Sequence, residues 1–514
     1  MNVFQIWFLT GSTLLAVGSG AAWYRGRVAL AVVLLMGAAF LLRLLMASLD
    51  PFLHDWDERF HALVAKNMVS RPFTPMLRAE AILPYDYQVW CCNHIWLHKQ
   101  PLFLWQMALS MKLFGVNELA LRLPSALLGS LVLYPVYRLG FLLFDEDTGY
   151  LGAVLAAFAF YQLEQTSGVV GMDHNDVAFA AYVTASIWAY YEYRSSAHPW
   201  RWLLLVGLLA GAAVLCKWLV GLIVYAGWGL AIILHTPRRV AEYGRLAASV
   251  AVAAAVALPW QFYTAWRFPA ESTFERSYNA RHFAEALEGQ AHEWYYHFAM
   301  LPTHYGILLW LMPVGLGLAW RRPGRAPLVP ILFMVALIYA FFTVAATKMY
   351  SYTYVVNALL LLLAAVPLAV GLRWLRTRGQ WWAVGALAGS FLVLVLADAR
   401  PWTIVGYHFE EQMGVVSGTT LGRNARVANA ELYRHLDTAV PAGYVIFNAL
   451  GSDELPAMFY CQRPVYSWWP SEAALRGIQV RGWRLAFFPD HHDQHPPDYL
   501  RNAPGALPIW GVPE

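Results

Sequence analysis

The sequence predicts a polytopic α-helical membrane protein that ends in a small α/β domain. Three observations carry this. Hydrophobic residues fill 59% of the 514 positions and charged residues only 13%, against about 25% charged in ordinary soluble domains. Apolar runs near the length that crosses a bilayer recur from the N-terminus to residue 397. From about Ala399 they cease and the composition turns mixed.

The formal net charge of +4 is small, and no long basic run or nucleic-acid reader motif occurs. The 24 Trp and the 15% aromatic share suit a membrane–water interface. The four cysteines, Cys91, Cys92, Cys216 and Cys461, form no CxxC pair. A bridge from Cys91 or Cys92 to Cys461 requires that both lie outside the membrane.

The first run, 3–23, lacks a basic leader and a clear cleavage site, so it reads as a retained span. Further candidate spans fall at 28–49, 119–142, 149–166, 177–194, 202–216, 218–234, 246–262, 304–320, 328–346, 350–370 and 381–397, about twelve in all. The pair 202–216 and 218–234 is short, with Lys217 between, and suits two helices meeting at one membrane face. In this count the basic loops RGR (25–27), RSSAHPWR (194–201), TPRRVAEYGR (236–245), RRPGR (321–325) and RWLRTR (373–378) share one side. That side is cytoplasmic by the positive-inside rule. The acidic loop DEDTG (145–149) falls there too. The opposite side receives loop 50–118, GMDHND (171–176), Lys217, loop 263–303, KMYSY (348–352) and the tail. The chemistry-bearing segments thus gather on the extracytoplasmic face.

Within loop 50–118, ERFHALVAKNMVS places Phe60, Leu63, Val64, Asn67 and Met68 near one helix face. PLFLWQMALSMKLFGV (101–116) is apolar between polar flanks. Both suit amphipathic helices on the membrane surface. In the tail, YVIFNA (444–449) and RLAFFP (484–489) read as buried strands and SDELPAMFY (452–460) as a helix. The chain divides into a membrane domain, 1–398, whose loops 50–118 and 263–303 carry the chemistry, and a soluble domain, 399–514.

Asp55, Asp57 and Glu58 open the first loop helix. One acid there would satisfy the helix dipole; three in four residues exceed that need. Such a cluster orients or deprotonates a nucleophile, or binds a metal. His94, His98 and Lys99 precede Pro101, a first-turn residue. Lys99 could neutralise a phosphate, or its stem could simply lie along the interface. Asp173 and Asp176 share a helix face, as a functional pair or as caps. Lys217 would cost about 2.5–3.5 kcal/mol at the bilayer centre, so it calls for an anionic partner or water. Lys348 and Tyr350 repeat that pattern, although taken alone an aromatic belt with its Lys reaching to the interface explains them better. Loop 263–303 holds Arg276, Arg281, His282, His292, Glu293 and His297, suited to phosphate or to a solvated helix. HHDQH (491–495) has no apolar frame and reads as an exposed loop.

Six motifs, DERFHALVAKNM (57–68), HKQPLFLW (98–105), ALRLPSALLG (120–129), DHNDVAF (173–179), CKWLVGL (216–222) and KMYSYTYVV (348–356), resemble in order and membrane placement those of the GT-C membrane glycosyltransferases. The nearest branch holds the protein O-mannosyltransferases and the lipid A aminoarabinose transferase. The resemblance covers residues 28–370, and more loosely the tail. It implies a bacterial cytoplasmic-membrane enzyme with an extracytoplasmic site, using a polyprenyl-phosphate-linked sugar as donor. Asp57 and Glu58 match the family's acidic pair, Lys99 its carrier-phosphate lysine, Asp176 (with Asp173 as rival) its second-loop aspartate, and Lys348 its later lysine. Three departures stand out. His98 replaces a Glu, Phe60 replaces an Arg, and the family's metal-binding His has no clear counterpart. A divalent cation, with Glu58 and His98 as candidate ligands, therefore stays open.

The expected function is an inverting glycosyltransferase. Asp57 would orient or deprotonate the acceptor, and Lys99, Lys217, Arg281, Lys348 and Tyr350 would face the departing phosphate. The acceptor is a protein, a lipid A-like lipid or a surface glycan. A flippase for lipid-linked sugars would need charges deep in the spans. A non-catalytic scaffold would leave the acidic cluster unexplained.

Overall fold

The structure, a computed structural model, describes residues 2–510 apart from 90–92, 168–173, 236–238, 323, 325, 380–388, 391–392, 394–417, 450–452 and 490–494. Helices α1 (Val3–Tyr24) and α2 (Val28–Ala47) form an antiparallel hairpin. Serine hydroxyls on α1 tie it: Ser12 donates to the Ala38 carbonyl at 2.8 Å and Ser19 to that of Ala31 at 2.7 Å. The first loop carries α3 (Asp57–Met68) and α4 (Pro101–Phe114). Then come α5 (Glu118–Leu131), α6 (Leu133–Leu143), α7 (Glu146–Phe158), α8 (Phe160–Ser167) and α9 (His174–Ser195). Arg43, buried on α2, donates to the Ala156 and Ala157 carbonyls at 3.2 and 3.1 Å. It satisfies the end of α7 where the chain breaks before α8.

Next are α10 (Pro199–Lys217), a 3₁₀ turn (Trp218–Leu222), α11 (Ile223–His235) and α12 (Arg239–Arg267). The apolar run Pro199–Leu234 reverses direction at that turn. Gly207 packs on Ser249 and Val252, and Gly211 on Ala253 and Val256, so α10 and α12 run parallel. A Cβ on either glycine would come within 2.6–2.8 Å of α12, a close approach only small residues allow. Tyr225 and Trp228 reach back to Ser249 and Glu242, so α11 runs antiparallel to α12. Lys217 therefore sits at the bend, where two helices meet.

The bundle closes with α13 (Pro269–Ala284), α14 (Tyr296–Ala299), α15 (Leu301–Tyr305), α16 (Leu308–Trp320), α17 (Leu328–Val344), a 3₁₀ turn (Tyr352–Val356) and α18 (Asn357–Thr377). Among the described residues six helices are long and apolar enough to cross a membrane, or seven if the segment bent by 102° at 305–308 is one span. The expected count of about twelve included shorter pieces. Residues 149–166 break in two, 328–344 is short, and 381–397 lies almost wholly outside the described residues. The chain is an integral membrane protein.

The tail runs α19 (Gly418–Ala439), β1 (Tyr444–Phe447), α20 (Glu454–Tyr460), α21 (Glu472–Val480), β2 (Arg484–Phe487), α22 (Asp498–Arg501) and β3 (Leu507–Pro508). Its sheet is parallel, ordered β1-β2-β3, with Val445 beside Leu485 and Ala486 beside Leu507. The division at residue 398 is not a clean one, because Ile82 and Leu83 of the first loop are buried in the tail's own core. Nor does α3 lie on a membrane surface with one face in water. It is buried almost all round, packed on α4 on one side and α20 on the other. Lys66 donates to the Met458, Phe459 and Cys461 carbonyls at 2.6, 3.0 and 2.7 Å, satisfying the open end of α20. Arg59 pairs with Asp453 at 3.1 Å and Arg423 with Asp50 at 2.9 Å. Cys461 is a buried free thiol, whereas Cys91 and Cys92 lie outside the described residues.

Candidate functional site

Two lysines from different elements converge on one cavity of about 190 Å³. Lys99 stands just before α4 and pairs with Asp57 at 3.1 Å. Lys217 ends α10, pairs with Asp176 at 2.5 Å and lies 4.9 Å from the centre of the Tyr352 ring. The lining also holds polar His98, Gln100, Asn175, Asn279 and His282 and apolar Phe179, Val220, Phe341, Phe342 and Met349. The cavity thus suits a ligand that carries both a charged and a greasy part.

Two residues beside key groups carry left-handed backbone. Trp56, before Asp57, has φ 61° and ψ −118°, and Trp218, after Lys217, has φ 55° and ψ −156°. Side-chain-bearing residues avoid this region at a cost of about 1–3 kcal/mol, and such strain collects at functional sites.

Electrostatics keep the Asp57 carboxylate ionised. Burial pushes its pKa up, but the charges of Lys99, His61 and His98 outweigh that and hold it below the usual carboxylate range. His61 is buried between Trp96 and Phe103, and burial keeps it well below its ordinary value, against the pull of Asp57. His98 meets Glu275 of α13 at 3.2 Å, which ties the cavity's roof to the first loop.

Glu58, read from sequence as catalytic, does not face the cavity. Both its oxygens are taken: Arg122 Nε and His174 Nε2 approach one at 2.7 and 3.2 Å, and the His54 amide and Arg122 Nη2 approach the other at 2.7 and 3.1 Å. His174 in turn bonds Ser125 at 2.7 Å. Glu58 holds the ends of α3 and α9, one residue from Asp57 and two from Asp176. Asp55 pairs with Arg59 and Arg426 at the tail contact. Arg281 is exposed and pairs with Glu285 at 2.7 Å, turned from the cavity, and His292 is exposed and stacked on Tyr296. Lys348 is buried behind the wall, its ammonium on the Ala345 carbonyl at 2.5 Å. The Tyr350 carbonyl accepts from Tyr161 at 2.8 Å. His94 lines a separate cavity. Asp173 lies outside the described residues, as does HHDQH except His495.

No group of three or more His, Cys, Asp or Glu able to hold a metal ion occurs among the described residues. Glu58 is engaged by Arg122 and His98 meets Glu275, and no step is derived through a metal. Arg122, His174, Glu275, Asn279 and Tyr352 were not singled out in the sequence. An Arg inside the apolar ALRLPSALLG was a usable signal, since buried charge in such a run demands a partner.

Residues 98–263 match the family model described as dolichyl-phosphate-mannose-protein mannosyltransferase. The chain is 25% identical over 281 residues to the undecaprenyl phosphate-alpha-4-amino-4-deoxy-L-arabinose arabinosyl transferase of Pseudomonas savastanoi pv. phaseolicola, covering 51% of this chain and 50% of that one. It is 26% identical over 265 residues to the Pseudomonas aeruginosa (strain LESB58) protein of that name, covering 48% and 45%. It spans about half the length of these curated relatives. The crystal structure of ArnT from Cupriavidus metallidurans bound to undecaprenyl phosphate aligns with TM-score 0.62 at 18% identity, over 87% of this chain and 88% of that one. The oligosaccharyltransferase AglB of Archaeoglobus fulgidus, in complex with an inhibitory peptide and a dolichol-phosphate, aligns with TM-score 0.53 at 13% identity, over 84% and 64%. The fold is the one these GT-C glycosyltransferase structures share, and the sequence matches are to proteins of the same superfamily.

Proposed function

We propose that the chain is an inverting glycosyltransferase that moves a sugar from a polyprenyl-phosphate carrier to an acceptor at the extracytoplasmic face of a bacterial cytoplasmic membrane. The observation that carries this is two acid-paired lysines lining one cavity together with several apolar side chains. A carrier phosphate entering there competes with Asp57 and Asp176 for Lys99 and Lys217, while its isoprenoid tail lies along Phe341, Phe342 and Val220. Displacing Asp57 from Lys99 frees a carboxylate beside the sugar.

The acceptor's oxygen or nitrogen then bonds to the anomeric carbon. The bond from that carbon to the phosphate oxygen breaks, its electron pair stays on the phosphate, and the acceptor's proton passes to Asp57. Preorganised cations in a dry site oppose the growing phosphate charge, commonly the largest catalytic term. The assay uses purified protein in lipid, a panel of radiolabelled polyprenyl-phosphate sugars and membrane extract as acceptor. Release of polyprenyl phosphate by wild type, lost in both Asp57→Asn and Lys99→Ala, is the expected result. Release unaffected by either change would remove these residues from the site.

A further inference from the structure

A second cavity, of about 550 Å³, opens where α12 gives way to α13. Its polar lining is Arg71, Thr74, Tyr85, His94, Arg267 and Glu271. It stands apart from the transfer cavity. Glu271 and Asn279 are eight residues apart on α13, about 12 Å along the helix. Two features define its chemistry.

The first is unbalanced positive charge. Arg71 and Arg267 have no carboxylate partner among the described residues. Arg71 meets the Met76 sulfur at 3.8 Å, and Arg267 lies 5.3 Å from the Phe268 ring centre. Most other arginines of the loops and tail are ion-paired, including Arg59, Arg122, Arg281, Arg423, Arg426 and Arg434. A third guanidinium, Arg78, is buried without a hydrogen-bond partner, against the Tyr466 ring at 4.4 Å. The field of Arg71 and Arg78 reaches His94, whose pKa is lowered by burial first and by those charges after it. Glu271 is the single carboxylate of the lining.

The second feature is position. Arg267 is the last residue of the apolar helix α12, so the cavity sits where that helix leaves the hydrocarbon layer. Phe262 and Trp266, in the last two turns of α12, and Phe73, whose ring centre lies 6.3 Å from that of Tyr263 on the same helix, are 69%, 78% and 60% exposed. Exposed aromatics at a span's end mark the headgroup level.

We propose that this cavity binds the phosphate of an anionic glycerophospholipid of the surrounding leaflet, held by Arg71 and Arg267, with its acyl chains against the lipid-facing side of α12. A free phosphate would satisfy the arginines but would leave the exposed aromatics at the end of α12 without a role. Guanidinium forks match phosphate oxygens two at a time.

The test uses full-length protein in nanodiscs of phosphatidylcholine with a minor fraction of phosphatidylglycerol. After extraction into detergent, native mass spectrometry reads the lipid retained. Wild type should keep phosphatidylglycerol in preference to phosphatidylcholine. Arg71→Gln with Arg267→Gln should weaken that retention by about tenfold or more, the factor carried by one charge-assisted hydrogen bond. The double variant should keep the wild-type melting temperature and donor-phosphate release, which separates lost binding from lost folding. Equal retention of both lipids, or retention unchanged in the double variant, would overturn the site. Displacement of the lipid by inorganic phosphate or glycerol phosphate would assign it to a soluble anion. Displacement by an acceptor fraction would make it an acceptor site. Either result overturns the phospholipid assignment.

Discussion

Removing Arg122 should be among the most damaging single changes in the chain, and the structure says by how much. Its guanidinium is 1% exposed and Glu58 is 0% exposed. Besides the two contacts to Glu58, it donates to the Ala47 and Asp50 carbonyls at 2.9 and 2.7 Å and to Phe52 at 2.6 Å. Arg122→Met strands a buried carboxylate and three carbonyls. Breaking a buried pair from one side costs about 3–5 kcal/mol. Glu58→Gln leaves Arg122 its three carbonyls and a neutral amide, so it should cost about half of that. With both changes made, the stranded charge is gone, and the double variant should be more stable than the sum of the singles predicts by at least about 2 kcal/mol. Denaturation in mixed micelles, read by tryptophan fluorescence, gives the cycle. Additivity within about 0.5 kcal/mol would refute the claim that the two act as one unit. The pH sign follows. Burial raises the Glu58 pKa, but Arg122, the His174 hydrogen bond and His54 outweigh that and hold it well below its ordinary value. Its stabilisation is present above the ordinary carboxylate range and lost as pH falls through the lower folded value, so Arg122→Met should flatten the acid limb of the stability curve.

Lys217→Ala should lower kcat for polyprenyl-phosphate release by about 10²-fold or more, as loss of one preorganised charge contact does; an effect on KM alone would make Lys217 a binding group only. Asp57 is held below its ordinary pKa in the empty site, and the donor's phosphate should draw Lys99 away and raise it. The acid limb of kcat, which reports the complex, should therefore lie at higher pH than that of kcat/KM, which reports free enzyme; coincident limbs would contradict the exchange of partners. Burial lowers the Lys66 pKa from 10.5 to about 8. The folded state sheds this proton before the unfolded state does, so stability should rise with pH between those values, by about 1.4 kcal/mol per unit at most. Lys66→Met should abolish the rise.

The sequence made some of this legible and hid the rest for physical reasons. The α3 helix was readable because apolar spacing and an acidic first turn are local signals. The bend at Lys217 was readable because a charge interrupts an apolar run. The pairing of Asp57 with Lys99 crosses 42 residues, and nothing local fixes which lysine meets which acid. Glu58 looked catalytic beside Asp57 because two adjacent acids are chemically alike. Only the third dimension shows that successive helix positions point about 100° apart, one to the cavity and one to Arg122. Glu275 and Asn279 were hidden because PAESTFERSYNARHFA reads as a solvated helix, and its buried side exists only once His98 lies against it. The tail's grip on α3 was hidden for the same reason, since Lys66 on an amphipathic helix looks like a residue meant for water.

That grip sets an order of events during synthesis. The carbonyls that hold Lys66 lie 392, 393 and 395 residues further along the chain. At ordinary elongation rates the ribosome needs on the order of 20–80 s to reach them. Through that interval the helix bearing Asp57 has α4 on one side and nothing on the other. The helix gains its second packing partner only after α20 has emerged and folded. A nascent or truncated chain can therefore own most of its membrane helices while α3 still lacks one of its packing partners, which makes the tail a certificate of completion for the fold it caps.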